Sequence, residues 1–212
     1  MKFICLPSLP YIIGTIIILF AVGRWGFSQP EYKLFFIQLI PFQLFILSIL
    51  TLIYQKPLTS RYFKISIFWI IGGWAVEFLG VNTGFPFGPY HYEKALGWGP
   101  WGIPALIGLN WWLLLTQVNA FNGFKSFWMR TLFSALVLTF TDWCLEPMAI
   151  STDYWEWTTP NSDIPLKNYM GWFVVSWIFS AIYAKTENHH DNVISFPLWL
   201  LQVLFFLSFR WA

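Results

Sequence analysis

Three carboxylates, Glu77, Asp142 and Glu146, lie inside stretches of the chain that are otherwise almost wholly apolar. An ionisable group near the centre of a bilayer costs at least a few kcal/mol, so its presence points to a task, a partner or a water-filled cavity. Asp142 and Glu146 are four residues apart, which stacks them on one face of a helix, with Thr139 one turn earlier on the same stripe. In a low-dielectric setting a neutral acid is favoured, and a neighbouring carboxylate makes the second ionisation harder, so one of the pair is expected to keep its proton at neutral pH. A protonated carboxyl facing a dry cavity is a proton donor. Pro147 is expected to kink the helix and open room beside the pair. A purely structural alternative is that Asn110, Gln117, His91 or Arg130 satisfies the acids as polar glue between helices.

The elements that must position these groups are membrane helices. The chain is 57% hydrophobic and 10% charged, with a mean hydropathy of +0.57, a composition outside the range of small soluble domains. Apolar stretches near 10–26, 34–54, 63–81, 103–119, 127–150, 169–185 and 193–210 predict an all-α, polytopic bundle of about seven transmembrane helices in a single domain, residues 1–212. The first stretch also has features of a signal peptide, Lys2 before the apolar run and Ala21-Val22-Gly23 as a cleavage site. Arg24 and Trp25 read instead as interfacial anchors, which favours a retained helix. Lys56, Arg61 and Lys64, and then Lys125 and Arg130, place two connecting segments on the cytoplasmic side. The N-terminus is then inside a bacterial inner membrane and segments 82–102 and 151–168 face outward.

Segment 82–102 is crowded with glycine, proline and aromatic residues and predicts a shaped loop without regular helix or strand, folded over the helix ends as a cap. Phe85 and Trp98, taken singly, read as interfacial aromatics. Glu77 is followed by Tyr90-His91-Tyr92 and Glu146 by Trp155-Glu156-Trp157, so the outer ends of two parallel helices are expected to gather acids and rings into one pocket. Fifteen tryptophans and 23 phenylalanines exceed what spanning a bilayer requires, and the excess suggests rings that line something. The net charge of +2 is small and scattered, which sets aside a nucleic-acid partner. Cys5 and Cys144 carry no disulfide signal.

The absence of a lysine or arginine cluster disfavours diphosphate substrates, and no metal site is expected. A neutral lipophilic substrate fits better. Protonation of an alkene gives a carbocation that aromatic faces and a residual carboxylate stabilise; capture by water is hydration, and capture by a second double bond is cyclisation. Residue types leave that choice open. A proton-coupled transporter is disfavoured by the lack of matched broken helices, and a retinal protein by the lack of lysine in 193–210. A membrane prenyltransferase would need a second acidic cluster. A non-catalytic pigment-binding or scaffold protein stays open, since aromatic walls alone bind a polyene.

The run from Glu77 through Asn82-Thr83-Gly84-Phe85-Pro86-Phe87-Gly88-Pro89-Tyr90-His91-Tyr92, then Leu96-Gly97, Gly102-Ile103-Pro104 and Trp111, resembles the integral membrane proteins of carotenoid biosynthesis, of the bisanhydrobacterioruberin hydratase and carotenoid 1,2-hydratase type. Asp142-Trp143-Cys144-Leu145-Glu146-Pro147-Met148-Ala149, followed by Tyr154-Trp155-Glu156-Trp157, is similar to that family's second signature. The resemblance implies a membrane enzyme, a hydro-lyase, that adds water across a terminal double bond of an acyclic carotenoid end group without a cofactor, beside membrane lipid and other pathway enzymes. It implies Asp142 or Glu146 as proton donor, with the other tuning it, and Glu77 as base or water-positioning group. Tyr90, Tyr92, Trp155, Trp157 and Phe87 would line the end group and Asn110 would hold water. A helix–helix hydrogen bond is the commoner task for an intramembrane Asn. His91 is the weaker candidate, and His189-His190 reads as a solvated turn on the opposite side.

Overall fold

The computed structural model describes residues 8–186 and 191–210, without the side chain of Thr186; Lys2, Cys5 and His189-His190 lie outside the described residues. Seven helices follow in order: α1 Leu9–Ser28, α2 Pro30–Tyr54, α3 Ser60–Thr83, α4 Leu106–Phe121, α5 Phe127–Ser151, α6 Leu166–Thr186 and α7 Ser195–Leu207. Each coincides with one of the apolar stretches. The protein is a helical membrane bundle, in which α1, α2, α3 and α5 are long and apolar enough to cross a bilayer by length and composition.

The distribution of side chains is that of a protein dissolved in lipid. Large apolar residues such as Leu34, Phe42, Ile67, Ile71, Leu136 and Leu204 face outward, while Thr51, Gln117, Asp142, Glu146, Ser176 and Gln202 are buried between helices. Water would reverse that arrangement. The helix ends follow local rules. Only Gln29 separates α1 from α2, and Pro30 at the first position of α2 has no N–H to continue α1. The Thr59 hydroxyl accepts from the Tyr62 backbone N–H at 2.9 Å and caps α3. Gly84 closes α3 in the left-handed conformation, φ 66°, its N–H donating to the Gly80 carbonyl at 2.8 Å. One expectation changes here. The first turn of the 82–102 segment belongs to α3, so Glu77 lies six residues inside the helix, about 9 Å below its end at 1.5 Å per residue. Helix α5 carries Pro147 inside it and runs on to Ser151.

The second difference is the cap. The 82–102 segment contains a short strand, β1 Tyr90–Tyr92, which pairs antiparallel with β2 Trp155–Trp157 in the register Tyr90↔Trp157, His91↔Glu156 and Tyr92↔Trp155. The pairing extends at both ends, with Thr158 N–H donating to the Pro89 carbonyl and Glu93 N–H to the Tyr154 carbonyl, both at 3.0 Å. Glycine and proline flank the strand and leave its three residues free to pair. The partner is distant in sequence, so no local pattern announces it. Phe85, Trp98 and Trp101 remain strongly exposed on the cap, where aromatic anchors of a membrane interface belong.

Candidate functional site

The two-stranded ribbon sits over the α3 and α5 carboxylates, and its alternation divides the side chains by role. Along β1 the two tyrosines point inward and His91 outward; along β2 the two tryptophans point inward and Glu156 outward. Each strand then holds one acid. The phenol hydroxyls of Tyr90 and Tyr92 both donate to Glu77 Oε2, the latter at 2.7 Å, and Trp111 Nε1 on α4 donates to Oε1 at 2.8 Å. The indole N–H groups of Trp155 and Trp157 both donate to Glu146 Oε2, each at 3.1 Å. The correspondence between Glu77 with Tyr-x-Tyr and Glu146 with Trp-x-Trp is therefore realised as two equivalent clamps within one ribbon.

The face of α3 is shaped to admit these partners. Gly73, Glu77 and Gly80 fall on one helical stripe. A methyl group on Gly80 would stand 2.7 Å from the Tyr90 hydroxyl, and one on Gly73 would stand 2.5 Å from Trp111 Cβ. Both glycines thus leave the space through which a donor reaches Glu77.

Asn168, in the first turn of α6, unites the α5 acids. The two hydrogens of its amide go to Asp142 Oδ2 at 2.7 Å and to Glu146 Oε1 at 3.0 Å. Asp142 is fully buried, and its Oδ1 has no hydrogen-bond partner among the described residues. Asp142 lies one turn deeper than Glu146, nine residues from the end of α5. Of the structural partners weighed for the acids, none hydrogen-bonds to them among the described residues, although Asn110 lines the same cavity as Glu77 and Glu146. His91 is on the outer face, Gln117 is buried with both amide atoms unpartnered, and Asn122 bonds the Arg130 carbonyl elsewhere on α5. Thr139 bonds back to Ala135 of its own helix.

Glu77, Glu146, Asn168, Asn110 and the rings of Phe87, Tyr90, Tyr92, Trp155, Trp157 and Trp172 line one cavity of about 20 Å³, room for about one water molecule. Asp142 stands behind it and does not line it. The far wall is aromatic: Trp111 and Trp172 stack with centroids 4.1 Å apart and planes 15° apart, and Phe87 packs on both. Tyr90 and Trp157 meet across the strands at 5.3 Å. All the candidate residues except Asp142 thus share one cavity, and Asp142 joins it through Asn168. Sequence reasoning missed Asn168, Trp111 and Trp172. Asn168 beside Lys167 reads as an ordinary polar helix end, Trp172 is lost among fifteen tryptophans, and Trp111 stands in the motif that carries the resemblance without a role attached to it.

Burial, and next the charge of Glu77, push the Tyr90 and Tyr92 hydroxyls well above the ordinary tyrosine range. Below about pH 10 these phenols are protonated in both folded and unfolded chains and contribute no pH dependence. Above that pH the unfolded chain releases protons that the folded site retains, so stability falls as pH rises. Spectrophotometric titration should show these two hydroxyls ionising only as the protein unfolds, and a tyrosinate signal from the native protein near pH 10 at Tyr90 or Tyr92 would contradict the arrangement.

On the outer face of the ribbon His91 Nε2 lies 3.0 Å from Glu93 Oε1 and 3.6 Å from Glu156 Oε2. These three groups are close enough to share a cation, but they face away from the acid cavity, and the imidazole is already bonded to Glu93. Glu93→Gln is expected to change turnover by less than about twofold, as for other exposed polar substitutions; an initial-rate comparison with the unmodified protein checks this.

The chain is 29% identical over 110 residues to the bisanhydrobacterioruberin hydratase of Haloarcula japonica, a match that spans 48% of this chain and 37% of that protein. No solved structure matches the chain. The profile of the family described as carotenoid biosynthesis protein matches residues 36–211, which takes in both strands of the ribbon, all three acids and Asn168. The chain belongs to the carotenoid biosynthesis protein family.

Proposed function

We propose that this protein is a carotenoid hydratase, adding water across a terminal double bond of an acyclic carotenoid end group. The observation that carries the reading is the acid pair joined by the Asn168 amide at the edge of a water-sized, aromatic-walled cavity. The Asp142–Glu146 pair holds one proton, and Glu146, the member that lines the cavity, delivers it. Its Oε2 accepts from two indoles, whereas Oε1 accepts from the Asn168 amide alone and keeps one position for the proton. The Glu146 O–H bond breaks as a C–H bond forms at one alkene carbon, and the positive charge develops at the more substituted carbon. The rings of Tyr90, Tyr92, Trp155 and Trp157 face that charge by cation–π attraction, and Glu77 offsets it electrostatically. Water adds to the cation, and the proton that it sheds returns to Glu146.

The cavity is too small for a polyene end group, so admission requires the ribbon to part from the helix ends. The matching relative, named a bisanhydrobacterioruberin hydratase, supports hydration over cyclisation. The basic segments around Lys56–Lys64 and Lys125–Arg130 support an N-terminus inside a bacterial inner membrane, with the ribbon at the opposite surface and the substrate arriving from the lipid or from another pathway enzyme. Expression in a bacterial host that accumulates lycopene tests the reading. A product heavier by one water is expected by mass spectrometry. A product of unchanged mass would indicate cyclisation or isomerisation, and carotenoid retained without conversion by well-inserted protein would indicate a binding protein.

A further inference from the structure

A second cavity of about 40 Å³ lies between α2, α4, α5 and α7, and Asn110 lines both it and the acid cavity. Its polar lining is unusual for the interior of a membrane bundle. Gln43 from α2, Asn110 from α4, Gln202 from α7 and Tyr154 from the chain before β2 all reach it, together with the apolar side chains of Leu145 and Met148. Gln202 is 4% exposed, and its Oε1 has no hydrogen-bond partner among the described residues. Gln43 and Asn110 likewise make no side-chain hydrogen bond among the described residues. Burial alone pushes the Tyr154 hydroxyl up, with no hydrogen-bond partner opposing it.

A buried acceptor left unpaired costs about 1–3 kcal/mol, so Gln202 Oε1, with the half-buried amides of Gln43 and Asn110 converging on the same cavity, calls for a hydrogen-bonding occupant rather than hydrocarbon. The volume holds one to three water molecules and is far below that of a polyene end group. None of the four groups is charged, so an ion has no counter-charge there. Water is the occupant that satisfies both the volume and the donors and acceptors.

We infer that Gln43, Asn110, Tyr154 and Gln202 form an internal water site that supplies the acid cavity through Asn110. The inference rests on the hydratase reading for its role and on the cavity for its existence. A hydratase surrounded by lipid cannot draw its second substrate from the bilayer, and a cation formed without water at hand loses a proton and reverts to alkene. The amide cavity would hold water one side chain away from the point of attack. It would thereby set the partition between hydration and reversal without taking part in protonation. Gln43, Asn110, Tyr154 and Gln202 are accordingly positioning residues for the nucleophile.

The experiment compares the wild-type protein with a Gln43→Leu, Gln202→Leu double variant in membranes suspended in deuterated water, with an acyclic carotenoid as substrate. The variant is expected to keep exchange of deuterium into recovered substrate within about twofold, because Glu146 still protonates the alkene. Hydrated product should fall tenfold or more. Exchange and hydration falling together would mean a packing role, and unchanged hydration would mean water arrives elsewhere; either overturns the inference. A volume-conserving Gln202→Met single variant repeats the comparison if the double variant does not fold. Radiolytic hydroxyl-radical labelling of Met148 and Tyr154, both lining the cavity, reads the water without catalysis. Labelling is expected in the wild type and reduced in the variant, and none in the wild type overturns the site. A wild-type protein that labels these residues but neither exchanges nor hydrates the substrate would instead contradict the hydratase reading alone.

Discussion

Glu146→Gln is expected to reduce water addition by roughly 10²- to 10⁴-fold, the range for losing a positioned general acid, while the protein still inserts and folds. The amide keeps the shape of the side chain and can still accept from Trp155 and Trp157 through its carbonyl oxygen, so the clamp by β2 persists. It cannot supply a proton to an alkene. Asp142→Asn should also remove most of the turnover, for a different reason. Asp142 does not line the cavity, but it shares the two hydrogens of the Asn168 amide with Glu146, and an uncharged neighbour no longer raises the cost of ionising Glu146. The two variants are separable by their pH profiles. Loss of Glu146 should depress the rate at every pH, whereas loss of Asp142 should shift the alkaline limb of the profile, where the acid loses its proton, as well as its height. Chromatography and mass spectrometry of extracted pigment supply the rates. Full activity in the Glu146→Gln, Asp142→Asn double variant would sink the acid mechanism.

Glu77→Ala should be the most destabilising single change at the site. Glu77 is the common acceptor for the Tyr90 and Tyr92 hydroxyls and the Trp111 indole, which reach it from β1 and from α4. Deleting the carboxylate leaves three donors unpaired at about 1–3 kcal/mol each, for a loss of roughly 3 kcal/mol or more. The consequence is not confined to energy. Tyr90 and Tyr92 attach the ribbon to α3, and through the cross-strand pairs they position Trp155 and Trp157 over Glu146. The cap should therefore loosen at both acids. Thermal unfolding in detergent, followed by tryptophan fluorescence, measures the first effect. Glu77→Gln should fall between the wild type and Glu77→Ala, because the amide retains one acceptor oxygen. Unchanged stability in Glu77→Ala would mean that water already satisfies the three donors.

Much of this site is legible in the chain before it folds. A bilayer demands about 20 apolar residues per helix and penalises each charge within them, so seven apolar stretches and three misplaced carboxylates stand out against a nearly featureless background. The 3.6-residue period puts Asp142 and Glu146 on one face. That signal is local, and helix geometry converts it directly into direction.

What local geometry does not specify is partner choice, and there the expectations and the folded protein differ. Strands of three residues have no periodicity long enough to read; β1 exists because β2, about 65 residues away, offers it hydrogen bonds. Asn168 resembles any polar residue at a helix start until α6 packs along α5 and brings its amide between two acids. Asn110, which the sequence offers either as a water holder or as a helix–helix hydrogen bond, makes no side-chain hydrogen bond among the described residues and lines two cavities. The amino-acid sequence by itself determined the membrane bundle, its spans and its acids, because the bilayer acts on each segment separately. Only the tertiary structure decided which acid lines the cavity, which donors hold it and where water can stand, because a buried polar group is satisfied by whatever packing brings within about 3 Å of it.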